Sequence, residues 1–171
     1  LKGLAGLMAP ILSFTAEEVW KYIPTEKGKV ESVHLSLFPE VKSEYVDDAL
    51  EEQWEKIWEI RSVVTKALEE ARKEKVIGLS LDAQVHLYLP EKVYQFLQAY
   101  QRDLKSIFIV SSVTLHLGAK GTKDEKEMRA EILRADGDKC ERCWNYDVSV
   151  GAHKERPTIC QRCVEAITQS A

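Results

Sequence analysis

The four cysteines of this chain stand in two pairs near its end. Cys140 is paired with Cys143 and Cys160 with Cys163, and sixteen residues separate the pairs. A gap of two residues lets each pair hold a metal ion from a tight turn, and four thiolates suit one tetrahedral Zn²⁺. Because four cysteines leave no position open for water, the spacing predicts one structural zinc ion and no catalysis at the metal.

Two other uses of these cysteines fit the sequence less well. A disulfide framework is typical of small secreted domains, but the chain opens at Leu1 without the pattern of a signal peptide and has no further cysteine. A thioredoxin-like site would need one reactive pair in a βαβ unit, whereas two matching pairs are typical of a zinc ribbon. His153 lies between the pairs, and the complete set of four thiolates makes it unnecessary as a ligand.

Charged and aromatic residues accompany the cysteines. Four thiolates on one Zn²⁺ carry a net negative charge, and nearby cations can offset it: Lys139, Arg142, Lys154, Arg156 and Arg162. Arg142 and Trp144 flank Cys143 and allow two interpretations. They form a guanidinium and indole platform for an unpaired nucleic-acid base, or the arginine only neutralises the sulfurs while the indole plugs a very small core. The chemistry of these residues alone leaves both open.

Composition excludes several functional classes. With 171 residues, 44% of them hydrophobic, the chain can bury one sizeable core or two small ones. No stretch approaches the roughly 18 to 20 apolar residues that span a bilayer, so we expect no membrane role. Reduced cysteines without an export signal predict a cytoplasmic protein. A net charge of -4 disfavours nucleic-acid binding over the whole surface but allows a local basic or aromatic patch.

The first third of the chain is predicted to be mainly helical. Apolar residues at 1, 4, 7, 8, 11 and 12 indicate a helix with a broad apolar face, and its lack of an N-cap suggests an element of a longer polypeptide. A capping box from Thr15 to Glu18 predicts a second helix that Pro24 ends. Alternating residues over 33–37 indicate an extended segment.

A long helix is predicted from about Asp47 to Lys75, since apolar residues recur there every three or four positions. Gly78 is expected to end it, and Trp54 and Trp58 are expected to pack in the core or in a groove. The pattern then changes to period two over 81–89, followed by a helix over 91–104, an apolar run over 107–117 and a third strand around 128–132. This order predicts a small α+β unit of strand, helix, strand and strand. Asp136 and Gly137 form a turn into the first cysteine pair.

Several segments together resemble the C-terminal part of bacterial-type isoleucyl-tRNA synthetases. They are LMAPILSFTAEEVW at 7–20, RKEKVIGLSLDAQV at 72–85, IFIVS at 107–111, and ADGDKCERCWNY at 135–146 followed by CQRC at 160–163. The first segment would fit several class I synthetases with a helical anticodon-binding domain. The last is specific to the isoleucine enzyme with a zinc-bearing tail.

The resemblance implies three parts within an α+β chain. Residues 1–75 would be the C-terminal portion of a helical anticodon-binding domain, 76–136 a small α+β junction domain, and 137–171 a zinc-binding ribbon. Cys140, Cys143, Cys160 and Cys163 would hold the zinc, while Arg142 and Trp144 would contact the anticodon of isoleucine tRNA. Leu79 departs from the family, which commonly has lysine there, so a contact made by that lysine is not expected here.

The resemblance also implies a parent enzyme that attaches isoleucine to its tRNA with ATP and Mg²⁺ in an upstream catalytic domain. This chain has neither the HIGH nor the KMSKS signature, so we expect it to be inactive by itself and to act as a monomer beside that domain. Two alternatives remain. The zinc tail of formamidopyrimidine DNA glycosylases has similar cysteine pairs, although Leu1 and Lys2 do not match the terminal proline and glutamate of that family. A free-standing zinc ribbon that binds protein is the other.

Overall fold

The computed structural model describes residues 1–118 and 128–169. The chain divides into two compact units, Leu1–Asp48 and Ala49–Ala171. The described residues contain helices and two small sheets, which confirms the predicted α+β class. Among those residues, no helix combines the length and apolar character that a membrane span needs.

The first unit is built on a helical hairpin. Helix α1 spans Lys2–Met8 and α2 spans Ser13–Tyr22. Its core is composed mainly of small side chains around one indole, and consists of Ala5, Ala9, Ala16, Trp20, Ile23 and Val33. Leucines 1, 4 and 7 are largely exposed. The hairpin therefore buries the alanines and leaves the predicted leucine face of α1 uncovered within this unit.

Two predictions for the first unit are wrong. Helix α2 begins at Ser13 without a side-chain cap, so Thr15 lies inside the helix and forms no capping box. The carboxylate of Glu17 instead accepts hydrogen bonds from the Ser32 hydroxyl at 2.8 Å and the Val33 amide at 3.0 Å. This anchor starts a short 3₁₀ helix, Val33–Leu35, where a strand was expected. A strand would leave its amides unpaired, because residues 1–48 contain no other strand.

Helix α3 spans Asp48–Lys73, close to its predicted limits. Lys75 follows it in the left-handed conformation, with φ of 61°, so the helix ends before Gly78 and not at it. The amides of Gly78 and Leu79 donate to Asp82 Oδ2 at 3.0 and 2.8 Å. These bonds lead into a short 3₁₀ helix, Ser80–Asp82, and the side chain of Leu79 remains exposed.

A three-stranded sheet follows, with β1 Ala83–Leu89 between β2 Ser112–Leu117 and β3 Arg129–Arg134. Strand β1 is parallel to β2 and antiparallel to β3. The parallel connection runs through α4 Glu91–Gln98 and α5 Leu104–Phe108, as such crossovers require. The predicted order of strand, helix, strand and strand is confirmed. The single predicted helix is divided in two, and the apolar run from 107 begins in α5.

Helix α3 belongs to the same core as the sheet. Apolar side chains of α3, β1, α4 and α5 pack together, among them Ile60, Val64, Leu68, Val85, Leu87, Leu97, Leu104 and Phe108. The compact units consequently divide between residues 48 and 49, because the buried face of α3 packs with the strands that follow it. The division into functional parts at 75 and 136 stays a prediction.

Residues 137–169, which we call the cysteine module, complete the described chain. They contain a two-stranded sheet of β4 Asp138–Lys139 and β5 Tyr146–Asp147, and helix α6 Gln161–Thr168. Three cysteines are the buried centre of this module, with only Val150 and Ile159 as partly buried apolar neighbours beyond the fourth cysteine. So small a core makes the cysteines the main structural element of the module.

Candidate metal centre and nucleic-acid interface

The first cysteine pair lies in the hairpin that joins β4 to β5. The two strands are antiparallel, with Lys139 opposite Tyr146. The Cys140 amide donates to Asn145 O at 2.9 Å, and the Trp144 amide donates to Cys140 O at 2.8 Å. These bonds close a tight turn, so the Cys140 and Cys143 sulfurs lie on the same side of the hairpin.

The second pair lies at the start of α6, where Cys160 is the N-cap residue. The amide of Cys163 donates to Cys160 O at 2.9 Å within the first turn. Ser149 ties this helix to the hairpin, since its hydroxyl accepts from the Gln161 amide at 2.9 Å and donates to Asp147 Oδ1 at 2.6 Å. Burial raises the pKa of the Asp147 carboxyl, but the hydrogen bonds from Ser149, together with the charges of Lys105 and Arg162, leave that pKa below its usual value.

The four sulfurs converge as a tetrahedral zinc site requires. All Sγ atoms lie within 4.8 Å of one another. Cys140 and Cys163 are 3.8 Å apart, and Cys143 and Cys160 are 3.7 Å apart. A zinc to sulfur bond of about 2.3 Å gives a tetrahedron with sulfur to sulfur edges of about 3.8 Å. Both separations match that edge, and three of the cysteines are buried, so the residues present fit a closed zinc site.

The protonation of the thiols supports the same conclusion. Burial raises the pKa of Cys140, but backbone amides of Cys143, Cys160 and Arg142 outweigh this effect and lower it to about 6. Burial raises the pKa of Cys160 to about 12, and neighbouring thiols add to the rise. Without a cation, four adjacent thiolates repel one another in a buried space. A divalent metal with high affinity for sulfur relieves this repulsion by displacing the protons.

Two arginines approach the sulfurs. Arg142 Nη1 lies 3.7 Å from the Cys163 sulfur. Burial lowers the pKa of Arg162, but its hydrogen bond to Cys143 and the nearby thiolates raise it overall. Of the five cations that the sequence suggested, these two therefore contact the sulfur cluster. Lys154 and Arg156 are exposed and remain accessible to a partner.

Trp144 is displayed at the surface beside the cluster. Its side chain is 58% exposed, which excludes the interpretation of this indole as the plug of a small core. Its backbone is left-handed, with φ of 65°, and a bulky residue adopts that conformation only where the surrounding turn imposes it. Lys139 Nζ lies 5.1 Å from the centre of the ring. The cation over this indole is thus Lys139, whose position in the sequence indicates only a role in charge balance.

Other candidates occupy different environments. His153 is not among the residues whose ligand atoms converge in the described part of the chain. The ring centres of Trp54 and Trp58 on α3 lie 6.0 Å apart, and the two residues are 37% and 54% exposed, so neither is buried in the core. The alternative expectation, packing in a groove, stays a prediction. Ser111 makes contacts with the cysteine module that no sequence pattern signalled, because it lies 35 residues before its partner Tyr146.

Two regions of the chain match models of known protein families. Residues 1–87 match the family model for the anticodon-binding domain of tRNA ligase. Residues 137–166 match the model for the zinc finger found in FPG and IleRS, which includes both cysteine pairs. The second match supports zinc at the sulfur cluster.

The curated relatives extend the likeness over nearly the whole chain. An isoleucine–tRNA ligase of Geobacter sulfurreducens is 46% identical over 171 residues, covering 98% of this chain and 18% of the relative. Another from Syntrophotalea carbinolica is 48% identical over 166 residues, with 95% and 18% covered. A third from Moorella thermoacetica is 42% identical over 173 residues, with 97% and 19% covered.

The chain spans about a fifth of the length of these relatives. The predicted resemblance to isoleucyl-tRNA synthetases is confirmed, and the DNA glycosylase alternative is not favoured, because the likeness continues far outside the cysteine module. On these matches, the chain belongs to the family of anticodon-binding domains of tRNA ligases.

Proposed function

We propose that this chain is the part of an isoleucine–tRNA ligase that binds the anticodon stem and loop of isoleucine tRNA. Cys140, Cys143, Cys160 and Cys163 hold one structural Zn²⁺, which supplies the cross-link that folds the module. Arg142 and Trp144 contact an unpaired base of the anticodon. The matches to the anticodon-binding domain and to isoleucine–tRNA ligases support this assignment.

The single observation that carries the proposal is the display of Trp144. An indole that is 58% exposed, fixed by hydrogen bonds of the hairpin and accompanied by Lys139, presents a flat ring to the surroundings. Unpaired bases stack on such rings, and nearby cations attract the adjoining phosphates. Single-stranded anticodon nucleotides supply both an unpaired base and a backbone phosphate.

The remaining parts of the function are assigned to the rest of the ligase. Attachment of isoleucine with ATP and Mg²⁺ would take place in an upstream catalytic domain, so this chain contributes position and selectivity to that reaction. We propose that the ligase acts as a monomer in the cytoplasm. The functional division at residues 75 and 136 belongs to the same proposal.

The direct test is replacement of Trp144 by alanine. We expect the affinity of the zinc-loaded chain for the isoleucine anticodon stem-loop to fall by about 2 kcal/mol, because one base loses its stacking partner. Fluorescence anisotropy with labelled RNA measures the affinity, and metal analysis measures the zinc content, which should not change. Trp144→Phe, which keeps a smaller ring, should lose less.

Val148→Ala is a matched control, since Val148 is an exposed apolar residue of the same module at 79% exposure. It should bind like the unchanged chain. A non-cognate stem-loop should bind more weakly than the cognate one and should respond less to the loss of Trp144. Two results together would contradict the proposed function: the unchanged chain binds the cognate and the non-cognate stem-loop equally well, and Trp144→Ala binds each of them as well as the unchanged chain does.

Lys154 and Arg156 should contribute affinity without selectivity. Both are exposed cations of the module, and phosphate contacts of this kind make binding depend on salt. We expect each alanine substitution to reduce the slope of log affinity against log salt by about 1. The ratio of cognate to non-cognate affinity should stay constant. A change in that ratio with an unchanged salt slope would show that these residues read bases.

A further inference from the structure

Ser111 is a buried polar residue at the junction of the sheet and the cysteine module. It immediately precedes β2 and is only 7% exposed. Its hydroxyl donates to Leu81 O at 2.5 Å and accepts from the Tyr146 amide at 2.7 Å. One oxygen atom therefore links the segment before β1 to strand β5 of the module.

The hydrogen bond from Tyr146 to Ser111 lies close to the exposed indole of Trp144. Tyr146 lies two residues after Trp144, and it pairs with Lys139, the residue whose ammonium lies over the Trp144 ring. A hydrogen bond at the Tyr146 amide consequently fixes the hairpin close to the displayed indole. Hydrogen bonds are directional, so this one constrains the orientation of the hairpin as well as its distance from the sheet.

The chain around Ser111 is held firmly on the sheet side. Ile109 is left-handed, with φ of 57°, which is an uncommon conformation for a β-branched residue. The turn that it makes places Val110 in the core at 1% exposure, and the Ser111 amide then donates to Ala83 O at 3.1 Å. Ser111 thus projects from a rigid support.

We propose that Ser111 is a positioning residue that orients the cysteine module on the three-stranded sheet and thereby sets the place of Trp144 for the anticodon. This inference rests on the proposed function. The zinc ion folds the module internally, whereas the hydrogen bonds of Ser111 to Leu81 and Tyr146 involve none of the four cysteines. The orientation of the module is therefore determined by a contact outside the metal site.

The first experiment tests the anchor without RNA. In the unchanged, zinc-loaded chain, the Tyr146 amide should be protected from hydrogen exchange. In Ser111→Ala it should exchange at least about tenfold faster, because its acceptor is gone. The amides of Cys140 and Cys163, which bond within the module, should keep their protection, and the zinc content should stay at one per chain. Loss of zinc, or unchanged protection at Tyr146, would overturn the proposal.

The second experiment asks whether Ser111 acts through Trp144. We expect Ser111→Ala to weaken binding of the isoleucine anticodon stem-loop about tenfold, while Ser111→Thr, which retains a hydroxyl, stays within about twofold of the unchanged chain. Ser112→Ala is the matched control, because Ser112 is the next residue and is only half-buried. It should leave binding unchanged.

A double-mutant cycle separates positioning from an independent effect. In a chain that already carries Trp144→Ala, the added Ser111→Ala should change affinity by less than about twofold. If the two effects multiply, Ser111 does not act through Trp144 and the inference is wrong. If Trp144→Ala has no effect while the Tyr146 amide still depends on Ser111, the anchor is real and the proposed function fails instead.

Discussion

Replacing Cys160 by serine should release the zinc and unfold residues 137–169, while α3 and the three-stranded sheet remain folded. The expected effect is large because binding and folding are one event in such modules, and structural zinc contributes on the order of 10 to 16 kcal/mol. Serine is a good N-cap residue, so the substitution at the N-cap of α6 removes the metal ligand and keeps the helix start. Metal analysis and residue-resolved hydrogen exchange measure the two effects.

The core of the sheet explains why the damage should remain local. That core contains no cysteine and consists of side chains from α3 to β3, separate from the cluster of Cys140, Cys160 and Cys163. His153→Ala is the control, since His153 lies between the pairs but does not converge with the sulfurs. It should retain zinc. Loss of helix from α3 in step with zinc release would mean that the module and the sheet form a single cooperative unit.

Replacing Gly137 by alanine should destabilise the folded module by about 3 kcal/mol or more, through backbone strain and overlap. Gly137 has φ of 86°, and a Cβ atom built there would lie 2.4 Å from the backbone carbon of Asp147. The strand β5 lies too close for any side chain, and backbone atoms cannot rotate away as a flexible side chain would. Because folding and metal binding are coupled, apparent zinc affinity should fall by about 100-fold.

Gly151→Ala is the matched control for this prediction. Gly151 has a similar φ of 93° in the same module, but nothing lies within 4 Å of a Cβ atom built there. It should lose only the conformational part, about 1 to 2 kcal/mol. Competition with a zinc chelator measures both variants under the same conditions. Equal losses at the two positions would mean that the approach of Asp147 has no energetic weight.

Long, periodic elements of this chain were predictable from the sequence. The 26 residues of α3 and the seven of β1 follow their apolar patterns closely, because many apolar side chains in each element indicate the same buried face. Short elements were not predictable in this way. The alternation over 33–37 is typical of a strand. The Val33 amide nevertheless donates a hydrogen bond to Glu17, which lies on α2, and the segment forms a 3₁₀ helix. A few local residues cannot outweigh one strong tertiary anchor.

Some features of the candidate site could also be predicted from the sequence, and others could not. The identity of the metal and its four ligands can be inferred from sequence, since zinc chemistry prescribes residue type and spacing. The exposure of Trp144 could not be inferred, because an indole beside a small core can equally be buried or displayed. Its partner Lys139 became evident only from the geometry of the hairpin, which brings the ammonium within 5.1 Å of the ring centre.

The sequence by itself determined the α+β class, the cysteine set and the relationship to isoleucyl-tRNA synthetases, since these depend on periodicity, ligand spacing and short segments that resemble that family. Tertiary structure alone decided that α3 joins the core of the sheet and that Ser111 meets Tyr146 across 35 residues. Such contacts depend on how distant segments fill space and satisfy buried polar groups. No local pattern predicts these contacts, because the residues next to one partner in the sequence do not indicate which distant residue the other partner is.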